Sequence, residues 1–304
     1  MDRSDKLLLL AMDLNCRLTF QALADKLNMT ATAVKKRFEK LVDSGVIEEF
    51  AVILTPAMTG AEYLLALIET DGLEEENSFM DAIGSNRMTM QVGQIASGRG
   101  RMYLVLAEYQ DAPGMQELGR LFRTSANVNN VELHTLLRGQ GRKFEFKTLH
   151  LRVLRQLMKD ARMQVSEIAS SENLTARRVS RALRELQESG AVDFGTRWNL
   201  SAGESTEVYI RIQYNQRSLG HKEIDDWFNE RYPVGYWYLL VSALEPVVFA
   251  KFVIDHFKEA AEITQRVRNA SFAERVDALV SYPVRKYSRL GTAILQEMLV
   301  KAGL

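Results

Sequence analysis

Apolar residues recur at helical spacing in three short stretches at the start of the chain. Leu7, Leu10, Ala11 and Leu14 mark a helix over 3–13, with Asp2 available as its N-cap. Thr19 is the predicted cap of a second helix carrying Ala22, Leu23 and Leu27, and Asn28-Met29 makes the turn that follows. Thr30 is the predicted cap of a third, running to about Val42, with Val34, Phe38 and Leu41 on one face. Gly45 stands just past it, where a left-handed residue commonly ends a helix. Short apolar runs at 46–47 and 50–54 then predict two strands of a wing hairpin. Further on, strands are predicted at 62–70, 88–96, 101–109 and 131–137, with helices at 75–83 and 114–123. That order, βαββαβ, is ferredoxin-like.

The pattern then repeats. At one ungapped offset Leu9 meets Leu154, Arg17 meets Arg162 and Ala24 meets Ala169. Thr30-Ala31 meets Thr175-Ala176, Val34 meets Val179, Leu41 meets Leu186, and Ser44-Gly45 meets Ser189-Gly190. Two tandem copies follow, about 1–145 and 146–290. In the second, Thr175 caps a helix to Ser189 with Val179, Leu183 and Leu186 inward, and wing strands are expected at 191–194 and 197–200. Its βαββαβ part reads 207–214, 222–231, 236–243, 246–254, 257–268 and 276–281. The fold class is therefore α+β, a tandem repeat of winged helix-turn-helix plus ferredoxin-like domain. The expected boundaries are 1–58, 59–143, 144–203, 204–287 and a C-terminal helix in 288–304. The last segment aligns Ile294, Met298 and Leu299 with Leu149, Val153 and Leu154. It is either the first helix of a truncated third copy or an ordinary amphipathic terminal helix, and it offers one surface for pairing chains.

Composition narrows the class. Among 304 residues, 39 Lys and Arg balance 39 Asp and Glu, so any nucleic-acid surface must be local. A hydrophobic share of 46% and a charged share of 26% suit a folded globular chain. The single cysteine, Cys16, excludes a disulfide framework and fits a cytoplasmic location. No stretch approaches the roughly 18 apolar residues of a membrane span, and no signal pattern opens the chain.

Each copy resembles an Lrp/AsnC-type (feast/famine) transcription regulator. The likeness rests on Asp2-Arg3, Asp5 and Leu8-Leu9 in the opening helix. It continues through Leu23-Ala24, Leu27, Thr30, Val34, Arg37, Leu41 and Gly45-Val46-Ile47. It covers nearly the whole chain twice, more clearly in copy one. The resemblance implies double-stranded DNA as partner and a regulatory βαββαβ domain that dimerises. The two βαββαβ units are then expected to pack as an intramolecular pseudo-dimer, with a dimer of pseudo-dimers as the possible homo-oligomer. The family carries a Gly-aromatic-Asp signature between the second and third regulatory strands, near which amino-acid effectors bind. That turn here is Gly98-Arg99-Gly100-Arg101, without the acid, and in copy two it is Ala243-Leu244-Glu245-Pro246. Gly98, Arg99, Gly100 and Arg101 are the candidate small-molecule site, for an amino acid or another anion, since guanidinium suits carboxylate or phosphate.

A reader helix needs cations off its core stripe to neutralise phosphates. Helix 31–43 offers Lys35, Lys36, Arg37 and Lys40, and helix 176–189 offers Arg177, Arg178, Arg181 and Arg184. Early positions reach base edges, which selects Thr32, Lys35 and Lys36, and Arg177, Ser180 and Arg181. Arg37, Lys40 and Arg184 are assigned to phosphates. Glu48 and Glu49 make the first wing a weak contributor. Because the two helices differ, the operator is expected to have unequal half-sites.

Other chemistry finds little support. His134, His150, His221 and His256 form no metal-spaced pair, and no phosphate loop, dinucleotide fingerprint or nucleophile elbow is present. No metal, cofactor or catalytic residue is expected. Trp198, Trp227 and Trp237 read as core. Two alternatives stay open. Sirohaem decarboxylases resemble this family and rely on a His and basic residues near the regulatory strands, but stretch 88–96 has no His. A ligand sensor that has lost its operator is the other.

Overall fold

The computed structural model describes residues 1–96 and 101–304. In chain order, copy one begins with α1 (Arg3–Leu14), α2 (Phe20–Leu27), α3 (Ala31–Asp43), β1 (Ile47–Leu54) and the short α4 (Pro56–Thr59). Its second part is β2 (Glu62–Thr70), α5 (Glu76–Gly84), β3 (Thr89–Ala96), β4 (Met102–Tyr109), α6 (Ala112–Thr124) and β5 (Val128–Leu137). Copy two opens with α7 (Thr148–Leu157), α8 (Val165–Glu172), α9 (Ala176–Ser189) and β6 (Val192–Trp198). There follow β7 (Thr206–Tyr214), α10 (His221–Arg231), β8 (Tyr236–Ser242), β9 (Val247–Ile254), α11 (Phe257–Arg268) and β10 (Ala273–Lys286). α12 (Leu290–Lys301) closes the chain. No helix among the described residues is long and apolar enough to cross a membrane.

Two compact units result, and each draws on both copies. One comprises Met1–Gly60, Gly139–Gly203 and Leu290–Leu304, and the other Ala61–Arg138 with Glu204–Arg289.

In the first unit the helices start where the hydroxyl caps predict. Thr19, Thr30 and Thr175 accept from the backbone N–H of Ala22, Ala33 and Arg178. Gly45 (φ 74°) and Gly190 (φ 67°) supply the left-handed residue after α3 and α9. The wings differ from expectation. Neither copy folds a hairpin: residues 47–54 form one strand and 192–198 another, and the two pair antiparallel, Leu54 opposite Val192 and Ile47 opposite Trp198. The physical reason is local. The stretch between Val46 and Leu54 holds no Gly, Pro or Asn able to reverse it, so the strand finds its hydrogen bonds on the other copy.

A reciprocal pair of arginines locks this exchange. Arg17 donates to the carbonyls of Ala161 and Met163, while Arg162 donates to those of Cys16 and Leu18. Arg162 also lies over Phe20 and Phe38, at 5.0 and 4.9 Å from the ring centres. Phe50 of β1 stacks on Phe38 at 5.9 Å. Leu54 of β1 joins the core of copy two with Val153, Leu154, Leu157 and Leu186. Leu295 and Leu299 of α12 enter the same core, so the terminal helix packs part of its apolar face within this unit.

The second unit is a closed barrel in the order β10-β3-β4-β2-β5-β8-β9-β7. The two βαββαβ sheets meet at both edges. β5 joins β8 through Leu136 opposite Ser242, and β10 runs past β7 to pair with β3, Val284 opposite Gly93. That extension makes β10 longer than the predicted 276–281. The β5–β8 seam is short, with only Leu136 and Leu137 opposite Ser242 and Val241. Inside lie Leu65, Leu67, Leu104, Tyr209, Leu240 and Phe249. α5 and α6 cover one sheet and α10 and α11 the other, through separate cores. Within the wall, buried Lys251 and Glu207 pair at 3.0 Å, with the rings of Tyr209, Trp237 and Tyr238 around the ammonium.

Candidate nucleic-acid interface

α3 is fixed by its threonine cap and by buried Val34 and Leu41. Opposite them Thr32, Lys35, Lys36 and Lys40 are exposed. Lys35 stands 3.7 Å from Glu39, one turn on. Arg37 departs from its assignment to phosphate. It is half-buried and donates to Asp5 Oδ1 at 2.8 Å and to Asp2, so it holds α3 against the start of α1.

α9 is fixed by buried Val179, Ala182, Leu183 and Leu186. Arg177, Arg178, Ser180, Arg181 and Arg184 are exposed. Arg181 is not loose, although its side chain is 77% exposed: its Nε donates to Glu185 Oε1 at 2.7 Å. The other carboxylate oxygen, Oε2, accepts from His150 Nε2 at 2.7 Å. The backbone N–H of Lys147 donates to His150 Nδ1 at 3.2 Å, which puts the ring hydrogen on Nε2. Hydrogen bonds from Arg181 and then His150 hold the Glu185 carboxyl below the usual carboxylate range. On the wing, Glu49 is paired with Arg197 at 3.1 Å, which takes one of the two repelling charges out of play.

Sequence reading does not bring Glu185 and His150 together. The repeat contains the signal: Glu185 stands where copy one has Lys40, and His150 where it has Asp5, so a carboxylate replaces an ammonium at one end of that contact and an imidazole replaces a carboxylate at the other.

At the candidate effector turn, Gly98, Arg99 and Gly100 lie outside the described residues. Arg101 is turned inward, donating to the Glu74 carbonyl at 2.9 Å with the Glu74 carboxylate at 3.8 Å. One group among the described residues brings three metal-type donors together: Glu132, His134 and Glu245, one atom each, lie within 4.8 Å of one another. Both ring nitrogens of His134 are engaged, Nε2 with Glu132 at 2.7 Å and Nδ1 with Ser242 at 3.1 Å, and Arg211 pairs with the same Glu132. This reads as a hydrogen-bonded clasp across the β5–β8 seam.

Two capped three-helix units, each with a cation-bearing third helix, joined to a βαββαβ barrel define a winged helix-turn-helix DNA-binding protein. The winged helix-turn-helix DNA-binding family profile matches at residues 1–48 and again at 147–193. The chain belongs to the Lrp/AsnC-type family of helix-turn-helix transcriptional regulators. It is 30% identical over 125 residues to an uncharacterized HTH-type transcriptional regulator of Sinorhizobium fredii, covering 40% of this chain and 73% of that one. A similar uncharacterized regulator of Pyrococcus horikoshii is 27% identical over 150 residues, covering 48% of this chain and 97% of its own. One copy here thus spans nearly a whole relative. The fold of the complete chain is like that of the siroheme decarboxylase NirDL solved with an iron-uroporphyrin III analogue, at a TM-score of 0.57, 13% identity and full coverage of both chains.

Proposed function

We propose that the chain is a sequence-specific double-stranded DNA-binding transcription regulator that acts as a single-chain pseudo-dimer. The observation that carries this reading is the presence, in one compact unit, of two cap-started helices that each expose several Lys or Arg off the core stripe, coinciding at Lys36 and Arg181, and that are joined by the β1–β6 pairing and the reciprocal Arg17 and Arg162 bonds. A family dimer presents two reader helices from two chains. Here both come from one, so the second half-site is met at high effective concentration. Thr32, Lys35, Lys36 and Lys40, and Arg177, Arg178, Ser180, Arg181 and Arg184, are the proposed contacts. Gly98 to Arg101 is the proposed effector turn, for an amino acid or another small anion, and the cytoplasm the proposed location. Pairing of whole chains into a dimer of pseudo-dimers is part of the same reading.

The test is selection of duplexes from a random library by the full chain, followed by a salt titration on the winner. A bipartite site with unequal halves, and affinity falling steeply with salt, is the expected result. No enrichment overturns the reading.

The full-length likeness in fold to a siroheme decarboxylase supports an enzyme reading as the alternative. Against it, the buried histidine of the barrel, His134, has both ring nitrogens occupied and none left for an iron. Incubation with siroheme, followed by absorbance of the re-isolated protein, separates the two readings.

A further inference from the structure

The two reader helices are armed differently. On α3, Lys36 and Lys40 are exposed ammoniums. On α9 their counterparts are Arg181 and Glu185, and these are bonded to each other. The bond uses Arg181 Nε, so the end-on pair of Nη groups is not the edge engaged by Glu185. A fork held by a carboxylate on its Nε edge is pre-organised for two parallel hydrogen bonds to a planar acceptor pair. In the DNA major groove that pair is O6 and N7 of guanine. Glu185 is in turn fixed by His150, which is buried on α7 and hydrogen-bonded at both ring nitrogens.

We propose that Arg181 reads one guanine in the copy-two half-site, and that Glu185 and His150 are the positioning residues that make this contact selective. The chain from buried ring to exposed guanidinium removes rotamer freedom that a lone arginine would lose on binding. It also neutralises Glu185, an acid that would otherwise face phosphates. Copy one has no such device: its lysines are point charges that grip the backbone with little preference among bases. The second half-site therefore carries the sharper sequence requirement, and the first contributes mainly salt-sensitive affinity. This proposal rests on the DNA-binding reading above.

The experiment repeats the duplex selection with full-length wild type, Arg181→Lys, Glu185→Ala and Glu185→Gln. Arg181→Lys keeps the charge and loses the fork. It should abolish the preference for guanine at one position, by roughly tenfold to a hundredfold against the other bases, with the salt slope unchanged. Glu185→Ala should relax that same position and leave the other half-site as it was. Glu185→Gln retains an acceptor for Nε but turns its amide NH2 toward the His150 Nε2–H, so it should relax the position less than Glu185→Ala does. His150→Phe, which fills the ring's space beside Phe144, should relax the position less than Glu185→Ala. A wild-type site without that guanine, or an unaltered preference in Glu185→Ala, overturns the proposal while the regulator reading stands. Failure of wild type to enrich any duplex overturns both.

Discussion

The two helix-turn-helix halves solve the same packing problem with opposite chemistry. Where α1 meets α2, copy one places Leu7, Leu10, Ala11 and Leu27, all half-buried. At the matching positions copy two has Arg152, Arg155, Gln156 and Glu172. Glu172 is buried and is gripped by Arg155 at 2.8 Å, by Arg152 at 3.1 Å and by Gln156. The deeper layer is apolar in both, Leu9 against Leu154 and Leu23 against Ile168. That inner layer and the caps therefore set the helix geometry, and the outer ring can be aliphatic or ionic. The two solutions are not equally tolerant. An aliphatic ring loses its members one at a time, whereas a buried carboxylate and its cations stand or fall as a set.

The largest effect should come from breaking that set. Glu172→Leu alone is expected to destabilise the unit by about 3 kcal/mol, because it strands two arginines and a glutamine around an apolar side chain. Replacing all four residues with their copy-one counterparts, Leu, Leu, Ala and Leu, should be neutral or stabilising. Urea midpoints for the two variants measure this, and a fourfold variant as weak as Glu172→Leu would contradict the comparison. Acid gives a second reading. Burial works to raise the Glu172 carboxyl, but the hydrogen bonds from Gln156, Arg155 and Arg152 outweigh it and hold it below the usual range. The unfolded chain thus binds the proton more readily, so this stability is present above the ordinary carboxylate pKa and is lost as pH falls through the lowered one. The fourfold variant should lack that acid sensitivity.

Much of this was legible in the chain itself, and the parts that were not share a cause. Threonine caps, the glycines after α3 and α9, and the βαββαβ order depend on neighbours within a few residues, and the tandem offset exposed the repeat. The wing strands were misjudged because their partner lies more than 130 residues away, as in Leu54 opposite Val192. Periodicity marks a strand but does not say whom it pairs with. The extension of β10 onto β3 failed to show for the same reason. In the reader helices, the sequence reading identified which residues carry charge. It does not distinguish a free cation from one already spent on a neighbour, as Arg37 is on Asp5 and Arg181 on Glu185.

Next in size is the unequal pair at the exchange. Arg17 and Arg162 make matching carbonyl bonds, yet Arg162 lies over two rings while Arg17 lies 5.9 Å from one, Phe194. In each arginine a single Nη1 is shared between the two carbonyls, and a bond from a charged donor is worth on the order of 1.5–3 kcal/mol. Arg162→Met should therefore cost about 2 kcal/mol, and Arg17→Met less by about 0.5–1 kcal/mol, the difference being the extra ring contacts. Thermal midpoints of the two variants, measured side by side, test the ordering. Equal losses would mean that the carbonyl bonds alone hold the crossed strands.

The smallest of these effects decides what Arg37 is for. In copy two its position is taken by Ala182, buried and neutral, so the contact with Asp2 and Asp5 belongs to copy one only. Arg37→Ala should lower stability by about 1 kcal/mol at neutral pH, the upper end for a pair with one partner open to water. The Asp2 carboxyl is shifted upward by burial but lies below its usual range, because the Asp5 backbone N–H and the Arg37 guanidinium bond to its charged form. Its contribution is therefore present above the ordinary carboxylate pKa and fades as pH falls through the lowered value. The gap between wild type and Arg37→Ala should close in acid. DNA affinity discriminates further. A residue that braces the helix should leave the salt slope as it is, whereas a phosphate contact would lower it by about one. An unmoved thermal midpoint together with a shallower salt slope would return Arg37 to the DNA backbone, and would make the two reader helices more alike than their neighbours are.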